Sequence, residues 1–144
     1  VDQGMSAVSP GAHCTEDHVA MAVRLMACVG KVVEVPERLQ DAVTAISGSG
    51  PAYIFFTVEA MIEAGVGLGL PRRLATELTL QTVFGAATML RETGEHPVVL
   101  RENVTSPAGT TAAALRILED HKVRAAFLAA LEAARNRSIE LAGG

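Results

Sequence analysis

Two glycine-bearing stretches hold the residues best suited to chemistry. In Thr105-Ser106-Pro107-Ala108-Gly109-Thr110-Thr111 a serine precedes a proline, and small residues follow. Serine suits an N-cap and proline the first helical position, so the stretch predicts a helix starting at Pro107 with Ser106 as its cap. The first N–H groups of such a helix have no intrahelical acceptor and lie at the positive end of its dipole. They therefore attract an anion, a carboxylate as well as a phosphate. The blander reading, which spacing alone favours, is an ordinary capped helix whose Thr110 and Thr111 hydroxyls bond their own backbone.

The second stretch, Ser47-Gly48-Ser49-Gly50-Pro51-Ala52-Tyr53, has the beginning of a dinucleotide-binding pattern. Its third glycine is absent, and a helix rather than a strand precedes it, so it reads as a tight bend between helices. Glu59 and Glu63 stand four apart; such a pair can do acid–base work but more often marks a solvated face. His96, just before Pro97, reads as a turn residue. His13, His18 and His121 are scattered, no His/Cys/Asp/Glu grouping has metal-ligand spacing, and no metal is expected. Cys14 and Cys28 read as small buried hydrophobes of a reducing compartment, which makes the cytoplasm the expected location.

The elements that must position these residues follow from patterning. Residues 4–9 alternate like a strand and stop at Pro10-Gly11. Thr15 with Glu16 and Asp17 opens a helix that Gly30 closes, and residues 31–35 form a β-branched strand ended by Pro36. Strand, helix, strand is a βαβ-sized piece that makes no stable sheet alone, so residues 1–36 are expected to be the end of a larger α/β domain. From Glu37 onward the pattern is helical: a short helix over residues 39–46, one from Pro51 to about Val66, and one with Pro71 at its first position reaching about Glu92. Shorter helices follow to about Asn103 and over residues 107–120, with a last one over residues 123–141.

Apolar residues make up 49% of the 144-residue chain, charged residues 19% and aromatics 3%, with no tryptophan. Such a core is built from aliphatic side chains, which suits close helix packing. The helix over residues 52–66 is apolar nearly all round, and residues 78–90 carry no charge within a helix roughly 33 Å long. One chain offers too little cover for both, so a second subunit is implied. A net charge of −4 with no basic cluster argues against nucleic acid, and the longest uncharged run is broken by Gly and Pro, so no membrane segment is expected.

Three groups of residues carry a resemblance. Asp41-Ala42-Val43-Thr44-Ala45-Ile46-Ser47-Gly48-Ser49-Gly50-Pro51-Ala52-Tyr53, then Gly69-Leu70-Pro71-Arg72, then His96-Pro97 followed by residues 104–112, closely resemble the pyrroline-5-carboxylate reductase family. The resemblance covers essentially the whole chain. It implies a mainly α fold, an interlocking helical dimerisation and substrate-binding domain over residues 37–144, preceded over residues 1–36 by a strand-helix-strand remnant of a Rossmann α/β domain.

It further implies an oxidoreductase of proline biosynthesis that reduces 1-pyrroline-5-carboxylate to L-proline with NADPH or NADH, working as a homodimer that can assemble into a decamer. By resemblance, Ser106, Gly109, Thr110 and Thr111 hold the substrate carboxylate, and Thr111 also reaches the imine nitrogen as the catalytic hydroxyl. Ala108 stands where the family usually has glycine, which matters if that backbone needs positive φ. The strand and glycine loop for the cofactor pyrophosphate are expected upstream of Val1. Two other readings compete: an inactive helical dimer module, and a reductase of another cyclic imino acid.

Overall fold

A computed structural model describes residues 2–143; Val1 and Gly144, the outer ends of the two expected segments, lie outside the described residues. The chain forms two compact units, one of the residues up to Pro51 together with those from Leu128, the other of Ala52–Phe127.

In the first unit, β1 (Gly4–Val8) pairs in parallel with β2 (Gly30–Glu34), and α1 (Glu16–Ala27) forms the crossover. Thr15 caps α1 as its sequence predicts. Its hydroxyl accepts from the His18 N–H, and His18 Nδ1 accepts from the Thr15 N–H, a capping box with histidine where glutamate or glutamine is usual. Gly30 does not close the helix as expected. α1 ends at Ala27, and Gly30 opens β2 opposite Gly4, where a Cβ would fall 2.0 Å from the Gly4 carbonyl oxygen.

The helix expected over residues 39–46 is three local forms in succession: a 3-10 turn over Glu37–Leu39, α2 (Gln40–Val43) and a π turn over Thr44–Gly48 closed by the Ser49 N–H on the Thr44 carbonyl, 2.8 Å. The wider turn runs into Gly48-Ser49-Gly50, where small residues make a change of pitch cheap. Side-chain bonds fasten this stretch to its neighbours in the unit. The Ser9 hydroxyl donates to the Val35 carbonyl and accepts from Gln40 Nε2, both at 2.7 Å, and Ser138 donates to Asp41 at 2.7 Å.

The remaining helices are α3 (Gly50–Gly67), α4 (Arg72–Thr93), α5 (Pro97–Asn103), α6 (Thr110–Asp120) and α7 (Val123–Ala142). Pro71 is the N-cap of α4 rather than its first residue; its ψ of 136° is extended, which is the conformation that turns the chain into the helix. Gly94 ends α4 in the left-handed conformation at φ 65°, as a C-terminal glycine does. The α3–α4 corner is tight: a Cβ on Gly65 would stand 3.0 Å from Ala75 Cβ. Across it the Arg72 guanidinium forks onto Glu63, with Nη1–Oε1 at 2.7 Å and Nη2–Oε2 at 3.1 Å. That hydrogen bonding, and secondarily the charge, holds the Glu63 carboxyl below its ordinary range and raises Arg72.

Among the described residues only Ala45, Ala75 and Thr79 are buried. Helix α3, expected at the centre of an assembly, leaves Phe55 70% and Phe56 74% exposed, and α4 leaves Phe84 67% exposed. The chain exposes 11077 Å², whereas a folded monomer of 15.0 kDa exposes about 7000 Å². An excess of roughly 4000 Å² is on the scale of obligate interfaces.

Two outcomes follow. Light scattering after size exclusion should give at least a dimer at micromolar concentration; a clean monomer mass would contradict the surface argument. Stability followed against pH should show the second. Because Glu63 titrates lower in the folded chain, its contribution is present above the ordinary carboxylate range and lost as pH falls through the folded value. Glu63→Gln should remove that part of the acid-side slope, and by a small amount, since both partners are more than half exposed.

Candidate functional site

The end of α5 and the start of α6 hold the residues singled out as an anion site. His96 is more than a turn residue here: it caps α5, its Nδ1 accepting from the Val98 N–H at 3.2 Å. At the other end of α5 the chain is pinned before it turns. The Val104 N–H and the Thr105 hydroxyl both donate to the Arg101 carbonyl, at 3.3 and 2.6 Å, and the Thr105 N–H donates to the Glu102 carbonyl at 2.9 Å.

Residues 106–109 then make a β-turn closed by the Gly109 N–H on the Ser106 carbonyl, 3.0 Å. Pro107 takes the first corner. Ala108 takes the second with φ 59°, the left-handed conformation of a type II turn. This corrects the predicted helix start. α6 begins at Thr110, its N-cap is Gly109 rather than Ser106, and that cap has no side-chain bond. Serine followed by proline fits both a capped helix and a turn corner, because the ring fixes φ near −65° in either case. Only the sign of φ at Ala108 separates the two.

The first backbone bond into α6 runs from the Ala113 N–H to the Gly109 carbonyl, 3.1 Å. The N–H groups of Thr110, Thr111 and Ala112 thus precede the first intrahelical donor and line the positive end of the helix. Ser106 Oγ lies over the same end, 2.4 Å from where a Cβ on Gly109 would stand. A side chain at Gly109 would displace that hydroxyl. The structure therefore gathers Ser106, Gly109, Thr110 and Thr111 into one turn and the helical turn after it. The Gly109 N–H is already bonded within the turn, so Gly109 contributes an open approach rather than a donor. Thr111 is half-buried, whereas Ser106 and Thr110 are exposed.

The other candidates resolve into structure. Residues 47–53 run from the π turn into α3, with α2 rather than a strand leading into that turn, and Ser47 donates to the Val43 carbonyl at 3.1 Å. Glu63 is committed to Arg72, and with Glu59 it rims a groove that includes Phe55, Val58 and Ile62. Sequence reading missed this clamp; the bond spans nine residues around a corner, outside helical spacing. Cys14 and Cys28, which flank α1 on either side, are exposed rather than buried. Among the described residues no group of three His, Cys, Asp or Glu could hold a metal ion, and no helix is long and apolar enough to cross a membrane.

Comparison with known proteins adds to this geometry. The family described as pyrroline-5-carboxylate reductase dimerisation matches residues 37–141. The chain is 49% identical over 141 residues to pyrroline-5-carboxylate reductase of Arabidopsis thaliana, covering 98% of this chain and 51% of the relative. With the Corynebacterium melassecola reductase it shares 50% over 141 residues, covering 98% and 52%. Among solved structures, a pyrroline-5-carboxylate reductase from Coxiella burnetii superposes with a TM-score of 0.92 at 43% identity over 97% of this chain and 52% of that one. A Plasmodium falciparum pyrroline carboxylate reductase with NADP bound gives 0.85 at 34% identity, over 89% and 52%. The chain spans about half the length of the curated relatives it matches. With its match from Glu37 to Leu141 and its helical fold, it belongs to the pyrroline-5-carboxylate reductase dimerisation family.

Proposed function

We propose that this chain is the substrate-binding and dimerising half of an oxidoreductase that reduces 1-pyrroline-5-carboxylate to L-proline with NADPH or NADH. The observation that carries the reading is the start of α6: three unengaged first-turn N–H groups beside a serine hydroxyl, in a chain whose relatives are named for that activity. The domain division goes with it, residues 1–36 as the end of a nucleotide-binding domain and residues 37–144 as the helical domain, in keeping with a family match that starts at residue 37. The uncovered surface supports a homodimer, with decamers as its further assembly, and two free thiols suit the cytoplasm.

The substrate presents a carboxylate one carbon from its ring nitrogen. Thr110 and Thr111 N–H groups take the carboxylate, with Ser106 Oγ as a third donor, and this fixes the ring by its one permanent charge. Held there, the imine nitrogen comes to the Thr111 hydroxyl. Reduction adds a hydride to the imine carbon and a proton to that nitrogen, and a fixed hydroxyl stabilises the nitrogen as its charge changes. The described residues include no strand-to-helix glycine loop for a dinucleotide pyrophosphate; residues 47–53 run from the end of a π turn into α3. What residues 106–111 contribute on this reading is the binding and orientation of the imino acid.

Two measurements test this. Calorimetric titration of the 144-residue chain should show no appreciable NADPH or NADH binding; micromolar affinity would mean residues 47–53 do cradle phosphate. In a reductase joining this chain to a nucleotide-binding half, Thr111→Val should lower catalytic efficiency roughly 10- to 100-fold, as one hydrogen bond of about 1.5–3 kcal/mol to a charging group implies. The loss should fall on kcat more than KM, because the N–H donors survive. Thr110→Val, which removes no proposed side-chain contact, should change little. Wild-type kcat in Thr111→Val, or greater damage from Thr110→Val, would refute the assignment.

A further inference from the structure

The turn that leads into α6 carries an alanine in a conformation alanine disfavours. Ala108 sits at φ 59° and is exposed. Left-handed backbone costs an alanine a factor of about five in population relative to glycine, because its Cβ crowds the following carbonyl oxygen. A type I turn over the same residues has negative φ at this corner and keeps the Ser106–Gly109 bond. The two forms differ by a half-rotation of the peptide joining Pro107 to Ala108, which exchanges the sides on which its C=O and N–H lie. Both ends of the turn are fixed, by Thr105 on the last turn of α5 and by Thr110 in α6. The single peptide is the element free to move.

We propose that Ala108 is a positioning residue that makes this peptide a two-state element, whose left-handed form is the one that receives the substrate carboxylate. The proposal rests on the carboxylate reading of the α6 start. An anion beside the turn interacts oppositely with an N–H and a C=O, so it biases the two forms against each other. Binding is then weakened by the fraction of turns in the other form. Glycine, which has no left-handed penalty, removes that weakening, as does asparagine in part, since it tolerates the left-handed region.

Nuclear magnetic resonance on the 144-residue chain tests it. The Overhauser effect between Pro107 Hα and the N–H of residue 108 is strong in the left-handed form and weak in the other. It should be reduced in the wild-type chain, restored in Ala108→Gly, and intermediate in Ala108→Asn. Titration with L-proline, followed at the Thr110 and Thr111 amides, should show affinity rising by up to about five-fold in Ala108→Gly, with Ala108→Asn between. A wild-type Overhauser effect equal to that of Ala108→Gly would overturn the two-state turn. A difference there with equal L-proline affinity would overturn its coupling to binding. Amides of Thr110 and Thr111 unmoved by L-proline in every variant would instead overturn the carboxylate reading, and with it the role given to Ala108.

Discussion

An apolar helix is stable in water only where another surface covers it, and within this chain such surface is scarce. Helices α3 and α4 meet at a corner where Gly65 backs onto Ala75, yet Phe55, Phe56 and Phe84 face outward. Small residues allow this close approach and supply little apolar volume of their own. The hydrophobic effect that should hold the helices is therefore mostly unspent in the isolated chain, and the fold depends on apolar cover from outside it.

Where hydrophobic burial is thin, local polar devices set the geometry. Arg72 and Glu63 brace the α3–α4 corner, Thr15 and His18 start α1, and Ser9 links the end of β2 to Gln40. None of these is strong in free energy, because exposed pairs are screened by water. Their effect is directional and local: each orients the two elements that it joins within its own unit.

The candidate site follows the same logic on a smaller scale. Three bonds from residues 104 and 105 stop α5, one bond closes the turn, and α6 begins with its donors unengaged. Rigid flanks and a short turn put the serine hydroxyl and the first-turn N–H groups on one end of one helix. A carboxylate needs that convergence of donors more than it needs any single residue.

Much of this was legible in the residues themselves. Patterning placed β1, α1, β2 and the long helices, since strand and helix periods differ and Pro and Gly mark the ends. The motif at residues 104–112 pointed to an anion at a helix start, and composition pointed to a second subunit. Where the sequence by itself misled was in conformation at points where two local structures share one pattern. Pro107 suits a helix or a turn, residues 39–48 suit one helix or three local forms, and a cysteine at the end of a short crossover helix suits burial or exposure. Tertiary structure decided these, because the sign of φ at Ala108, the π turn ending at Gly48 and the exposure of Cys28 depend on what surrounds each residue. The Glu63–Arg72 clamp belongs with them. Nine residues separate its partners along the chain, and only the corner between two helices brings their charges together.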